Sequence, residues 1–320
     1  MTQSDHVDPG YDAAHGLPLR AALISLSLAA VLTGLKLAGA IVTGSVALLS
    51  TLLDSVADVA AVLLTLVAVA IARRPADHEH RFGHGKAEGL SALGQMAFIL
   101  LSAGAVLASA VDRMASNRPV RETEVGVAVM AVSAVLTVGV VLYQQRVVRR
   151  TGSQAIAAAR ANFTGDLAVS AGIIATLVLV DATGETWLDP SMAFVVAAYL
   201  VRNAWVLWNG AADVLLDREL PDEERERIHQ VVLRHPETHG IHDVRTRTTG
   251  VTRFIELHLE LEGGLTLERA HEVVSEVEAE IAAALPGAEV LIHPEPAGID
   301  DERLDHRIED SVAWRRLRRR

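Results

Sequence analysis

Six apolar runs fill the chain from about Leu19 to Ala212. They cover roughly Leu19–Val42, Val46–Ile71, Leu90–Val111, Val125–Val147, Ala155–Val180 and Met192–Ala212. Each approaches or exceeds the ~20 residues that a helix needs to cross the hydrocarbon core. Lipid offers the backbone no hydrogen-bond partner, so a spanning segment must satisfy its own N–H and C=O groups, as a helix does. Several runs are rich in Ala, Gly and Ser, which lets helices pack closely. The first two are joined only by Thr43-Gly44-Ser45, which predicts a tight hairpin. After about Asp213 the chain becomes dense in charge. The expected fold is a multi-pass α-helical membrane protein: six transmembrane helices followed by a cytosolic α+β domain. The expected divisions are an N-terminal tail (1–18), a six-helix unit (19–212), a C-terminal domain (213–296) and a basic tail (297–320).

Among loops, basic residues mark the cytosolic side. The loop after the second span carries Arg73, Arg74, Arg81 and Lys86, and that after the fourth carries Arg146, Arg149 and Arg150. The loop after the fifth has Asp181, Glu185 and Asp189 and no Lys or Arg. The loop after the third is mixed, with Arg113, Arg118 and Arg121 beside Asp112 and Glu122, and the majority of loops puts both termini in the cytosol, with the protein expected in the cell's plasma (inner) membrane. The first 18 residues lack the basic start of a signal peptide and are expected to be a poorly ordered tail. Nucleic acid is not an expected partner, because the domain before the basic tail is acidic and net charge is −11.

Within the second span, Asp54 and Asp58 stand four residues apart, on one face of a helix. Carboxylates at bilayer depth are costly, face the bundle interior and mark ion or proton paths. In the fifth span Asn162 and Asp166 repeat that spacing. The second helix runs inward and the fifth outward, so antiparallel packing would set Asp54 level with Asp166 and Asp58 level with Asn162. Four oxygen-bearing side chains would then surround one cation near the midplane. A helix–helix hydrogen bond is the other reading of Asn162. Gln95, in the third span, is expected to make such a bond.

The absence of cysteine excludes disulfides and thiolate metal sites, leaving carboxylate, imidazole, amide and water ligands. The loop from Asp77 to His84 holds five of these: Asp77, His78, Glu79, His80 and His84. It reads either as an open metal site or as a hydrophilic loop with incidental histidines. The glycines flanking His84 favour a specific turn.

Beyond Asp213 the pattern predicts a helix opening at Pro221-Asp222-Glu223-Glu224 and strands over Asp243–Thr248 and Thr252–Leu261. A second helix runs from Leu267 to about Leu285, capped by Thr266, and a last strand covers Val290–His293. The order αββαβ places two helices on one side of a three-stranded sheet. His242, His258, His271, His293 and Glu295 fall at element ends or on a polar strand face. Singly each reads as a surface residue; together they suggest a cytosolic metal site.

These residues resemble the cation diffusion facilitator family, and its bacterial zinc/iron branch in particular. The resemblance runs from about Leu19 to Pro296. It rests on Asp54/Asp58, on Phe82-Gly83-His84-Gly85-Lys86-Ala87-Glu88, on Leu216-Asp217-Arg218, on His242-Asp243-Val244-Arg245-Thr246-Arg247 and on the His258 strand. It implies a homodimeric proton-coupled antiporter of divalent metal cations, with a metallochaperone-like cytosolic domain at the dimer interface. The transport site would be Asp54, Asp58, Asn162 and Asp166, taking Zn, Fe or Mn. A loop site would use Asp77, His80 and His84. A C-terminal site, binuclear by analogy and suited to Zn, would use His242, His258, His271, His293 and Glu295. Two positions depart from the pattern: Asn162 stands where zinc-type members carry histidine, and Glu295 where close members carry aspartate. An amide oxygen beside three carboxylates is a harder site, and an amide does not titrate.

Two other classes fit parts of the chain. A membrane-embedded metal-dependent hydrolase would need a water-activating site, and no His-Glu-x-x-His motif occurs. A metal sensor built on the C-terminal histidines leaves the paired ligands within the spans unexplained.

Overall fold

The computed structural model describes residues 9–43, 46–116, 124–185, 187–250 and 252–299. The side chains of residues 46–54 and of Lys36 lie outside that description, as does the basic tail from 300 onward. The chain divides into two compact units, with the boundary between Leu215 and Leu216.

The first unit is six helices: α1 (Pro9–Thr43), α2 (Val46–Ala72), α3 (Ala87–Ser116), α4 (Glu124–Thr151), α5 (Gln154–Thr183) and α6 (Leu188–Leu215). Each contains a stretch long and apolar enough to cross a membrane. Helix α1 starts ten residues before the expected Leu19. The segment expected to be a poorly ordered tail is thus helical from Pro9, and proline is well suited to a first helical turn, where its missing N–H costs nothing. Outward-facing Leu101, Val135, Leu142 and Val178 are more than 60 % exposed, a surface suited to lipid rather than water.

Inside the bundle the packing is close because the side chains are small. Ala92, Ala103, Ala158, Ala204 and Ala211 are buried in one cluster with Ile99 and Leu200. At Gly165 a Cβ would fall 2.8 Å from the Leu200 side chain, so a larger residue there would have to displace Leu200 where α5 meets α6. Buried polar side chains bond between helices. The Gln95 amide donates to the Ala61 carbonyl at 2.8 Å, the interhelical bond expected of it, and the Gln144 amide donates to Ser25 Oγ at 2.9 Å. Glu88, only 3 % exposed at the start of α3, accepts from Ser153 Oγ at 2.6 Å and from the Ala155 backbone at 3.3 Å. It thereby satisfies donors at the N-terminus of α5, where negative charge is favoured.

The second unit holds α7 (Asp222–Val232), β1 (Thr238–Thr248), β2 (Arg253–Leu261), α8 (Leu267–Ala284) and β3 (Ala288–Pro296). The sheet order is β1-β2-β3, with β1 antiparallel and β3 parallel to β2. Thr266 caps α8 by accepting the Arg269 backbone N–H. One sheet face is apolar: Ile255, Leu257, Leu259, Leu261 and Ile292 pack with Ile228 and Val232 of α7 and with Val273, Val277 and Ile281 of α8. The opposite face carries the alternate, polar residues. Pro294 and Pro296 sit on edge strand β3, where a missing N–H is tolerated.

Strand β1 begins five residues earlier than the pattern suggests and contains a bulge. His242 pairs with His258, but the next pair is Arg245 with Glu256, so one extra residue lies in β1. Asp243 takes the left-handed conformation there, at φ 49°. The bulge lets both Ile241 and Val244 reach the apolar core, while His242 and Arg245 share the polar face.

Candidate metal centres

The membrane group rests on α2 and α5, which pack against each other. Asp58 is half-buried on α2; Asn162 is only 6 % exposed on α5, and Asp166, one turn on, is half-buried. Both Asp58 and Asp166 are engaged in polar interactions. The Asp54 side chain lies outside the described residues. Close by, Thr33 Oγ1 of α1 reaches the Ser55 carbonyl at 3.5 Å, tying α1 to α2 one turn before Asp58. Gly165, with its tight approach to α6, immediately precedes Asp166.

In the loop after α2, Asp77, His80 and His84 come together, with one ligand atom from each inside a 4.8 Å circle. His80 Nδ1 is 3.3 Å from Asp77 Oδ1, and His84 Nε2 is 3.4 Å from Asp77 Oδ2. Asp77 Oδ1 also accepts backbone N–H bonds from Glu79 at 3.0 Å and His80 at 2.6 Å. The His80 bond above all holds the Asp77 carboxyl below its usual range, hence ionised. Gly83 makes the turn that returns His84 toward Asp77, with φ 74° and its N–H bonded to the His80 carbonyl at 3.0 Å. His84 Nδ1 is buried with no hydrogen-bond partner. His78 and Glu79 are exposed and outside the group.

The C-terminal cluster is a product of strand register. Three histidines form one row across the sheet, because His242 pairs with His258 and His258 with His293. Their rings lie 5.2 and 4.8 Å apart, centre to centre. The neighbouring row is Gly240, Glu260 and Glu295. Glu295 Oε1 lies 3.0 Å from His242 Nε2, and Oε2 lies 3.2 Å from His258 Nδ1. His242, His258 and Glu295 thus form a second group of close ligand atoms. His293 adjoins it through the His258 ring, while His271 is exposed on α8 and is not in the group.

His242 is 6 % exposed, yet neither ring nitrogen is aligned for a hydrogen bond, and Glu295 Oε1 is equally unsatisfied. A bound cation would satisfy a bare imidazole nitrogen and a carboxylate oxygen together, so the donor set fits a borderline metal such as zinc. The residue that sequence reasoning passed over is Glu260, whose Oε1 lies 3.2 Å from His242 Nδ1. Its signal was the period-two alternation that puts it on the His258 face.

Residues 22–216 match the family description "Cation efflux transmembrane domain", and residues 220–297 match "Cation efflux protein, cytoplasmic domain". The relatives include the cation-efflux pump FieF of Shewanella oneidensis, 38 % identical over 276 residues, covering 86 % of this chain and 93 % of that protein. The protein of the same name from Serratia proteamaculans is 40 % identical over 282 residues, covering 88 % of this chain and 94 % of its own. Among solved structures, the metal-bound C-terminal domain of the CzcD transporter from Thermotoga maritima is 32 % identical. It covers 25 % of this chain and 93 % of that one, with a TM-score of 0.24. With six membrane-crossing helices, a three-stranded C-terminal unit and both matches in sequence order, the chain belongs to the cation efflux family of membrane transporters, the cation diffusion facilitators.

Proposed function

We propose that this protein is a homodimeric, proton-coupled antiporter that exports divalent metal cations of the Zn, Fe or Mn type from the cytosol. It would sit in the plasma (inner) membrane with both termini cytosolic. The observation that carries this reading is the buried Asn162 beside Asp166 on α5, packed against the α2 helix that bears Asp58. Ionisable and amide side chains within spanning helices mark ion or proton paths.

The cargo ion would be held by the carboxylates of Asp54, Asp58 and Asp166 and by the Asn162 amide oxygen. While the site faces inward, the carboxylates are ionised and bind the ion. When it faces outward, protons neutralise carboxylates and release the ion, because neighbouring like charges without a cation raise each other's pKa. Two protons balance one divalent cation, so the inward proton gradient drives export. Asn162 takes no proton, which leaves the coupling to the aspartates.

The loop group of Asp77, His80 and His84 would be a second cation site. The C-terminal group would be a third, built from His242, His258, Glu295 and the adjoining His293, with His271 as an outer contributor. A resident cation there would supply a link across the strands. Support for this third site comes from the unsatisfied atoms of His242 and Glu295.

The test is metal flux in proteoliposomes under an imposed pH gradient. Wild type should accumulate metal against its gradient when the pH difference has the driving sign. Accumulation that ignores the pH difference would break the antiport reading. Full proton-dependent flux by Asp58→Ala would break the site assignment.

A further inference from the structure

Each ring nitrogen of His242 has a carboxylate beside it. Nε2 is 3.0 Å from Glu295 Oε1, and Nδ1 is 3.2 Å from Glu260 Oε1. Glu260 is not among the three residues whose ligand atoms converge. Its place is shaped by the residue across from it in the sheet, Gly240. A Cβ at Gly240 would fall 2.7 Å from Glu260 Oε2 and 3.0 Å from its Cδ, so any larger residue there would push the carboxylate from its present place. The Glu260 side chain is 17 % exposed, and His242 is 6 % exposed. This is therefore a largely dry pairing rather than a surface contact.

A neutral imidazole carries its proton on one nitrogen and a lone pair on the other. A ligating histidine usually gives its remaining N–H to a carboxylate, which fixes the tautomer and the ring angle. We propose that Glu260 is the positioning residue of the C-terminal centre: its carboxylate receives the Nδ1–H of His242 and leaves Nε2 bare toward Glu295 and the cation. Gly240 is part of the same device, since it clears the carboxylate's place. The proposal rests on reading His242, His258 and Glu295 as a metal centre.

The experiment uses the detergent-purified full chain carrying Asp58→Ala and His84→Ala, which disable the other two groups. Zn2+ affinity is measured by competition with a chelator, and ligand geometry by the visible spectrum of bound Co2+. Glu260→Ala should weaken Zn2+ binding by about 10- to 100-fold with stoichiometry unchanged. Glu260→Gln, nearly isosteric, should weaken it less and keep both the saturated Co2+ spectrum and the apo-protein melting temperature. Gly240→Val should weaken binding in the same direction while Glu260 is still present. Affinities within threefold of the parent in both Glu260 variants would overturn the proposal. So would a lost equivalent of metal or an altered Co2+ spectrum in Glu260→Gln, which would make Glu260 a ligand. His242→Ala separates the two levels of the argument: if it binds Zn2+ as the parent does, the centre itself is misassigned.

Discussion

In the membrane unit the candidate ligands come in pairs one helical turn apart. In the C-terminal unit they come from three strands: His242 from β1, His258 from β2, and His293 and Glu295 from β3. The first arrangement is held by helix geometry, so each pair survives any small shift of one helix against another. The second depends on register, where a slip of one residue turns every side chain to the opposite face. A transport site must change its surroundings during each cycle, and pairs fixed within single helices suit that demand. The C-terminal cluster gains rigidity instead, because its positions are set by the ladder hydrogen bonds of the whole sheet.

The largest effect should come from the membrane pair. Asp58→Ala removes a carboxylate from the proposed transport site, and metal flux should fall on the order of 100-fold or more, from a loss of about 3–5 kcal/mol. Deletion of Asp243 tests the other side of the contrast. Without the bulge, either Val244 leaves the core or His242 leaves the polar face. The C-terminal unit should lose about 3 kcal/mol or more of stability in urea, together with Zn2+ binding at its cluster. Deleting one exposed loop residue elsewhere in the unit should cost much less.

Asn162→His should shift selectivity rather than abolish transport. Competitive flux of Zn, Mn, Fe, Co and Cd should move toward zinc by roughly tenfold, equal to about 1.4 kcal/mol of differential binding. An unchanged ratio would return Asn162 to the role of a helix–helix hydrogen-bond partner.

The smallest effect concerns acid stability of the C-terminal unit. Arg269 pairs with Glu237 and Glu272, and buried His235 lies 2.9 Å from Glu276. Arg269 holds the Glu237 carboxyl below its usual value near 4.5, and the His235 contact does the same for Glu276. A carboxylate with a lowered folded-state pKa stabilises the fold above its ordinary value. That contribution is lost as pH falls from about 4.5 through the lower folded value. Arg269→Ala should therefore lower thermal stability modestly at pH 7 and flatten its fall below pH about 4.5, so that variant and wild type converge in acid.

The difference between the two regions also decides what could be read from the residues alone. The placement of Asp58 on one helix and of Asn162 and Asp166 on another was legible because apolar length and helical spacing act locally on consecutive residues. So were the Thr266 cap and the alternation of β2, each of which is a local signal. The start of β1 was not, since Thr238-His239-Gly240 has poor strand propensity and joins the sheet only through its partner β2. The bulge at Asp243 and the parallel pairing of β3 are tertiary facts with no local spacing to announce them. Glu260 was passed over for the same reason: its relation to His242 runs diagonally between strands.

The row of His242, His258 and His293 takes one residue from each of the three strands, both edges included. Neither edge strand can peel from β2 without pulling a member of that row away from the others. Fraying of the sheet margin and opening of the cluster are therefore a single equilibrium, and whatever fills the cluster acts as a selvedge on the fabric of the sheet. Amide exchange along β1 and β3 would then report occupancy of the centre, even at positions that never touch the ion.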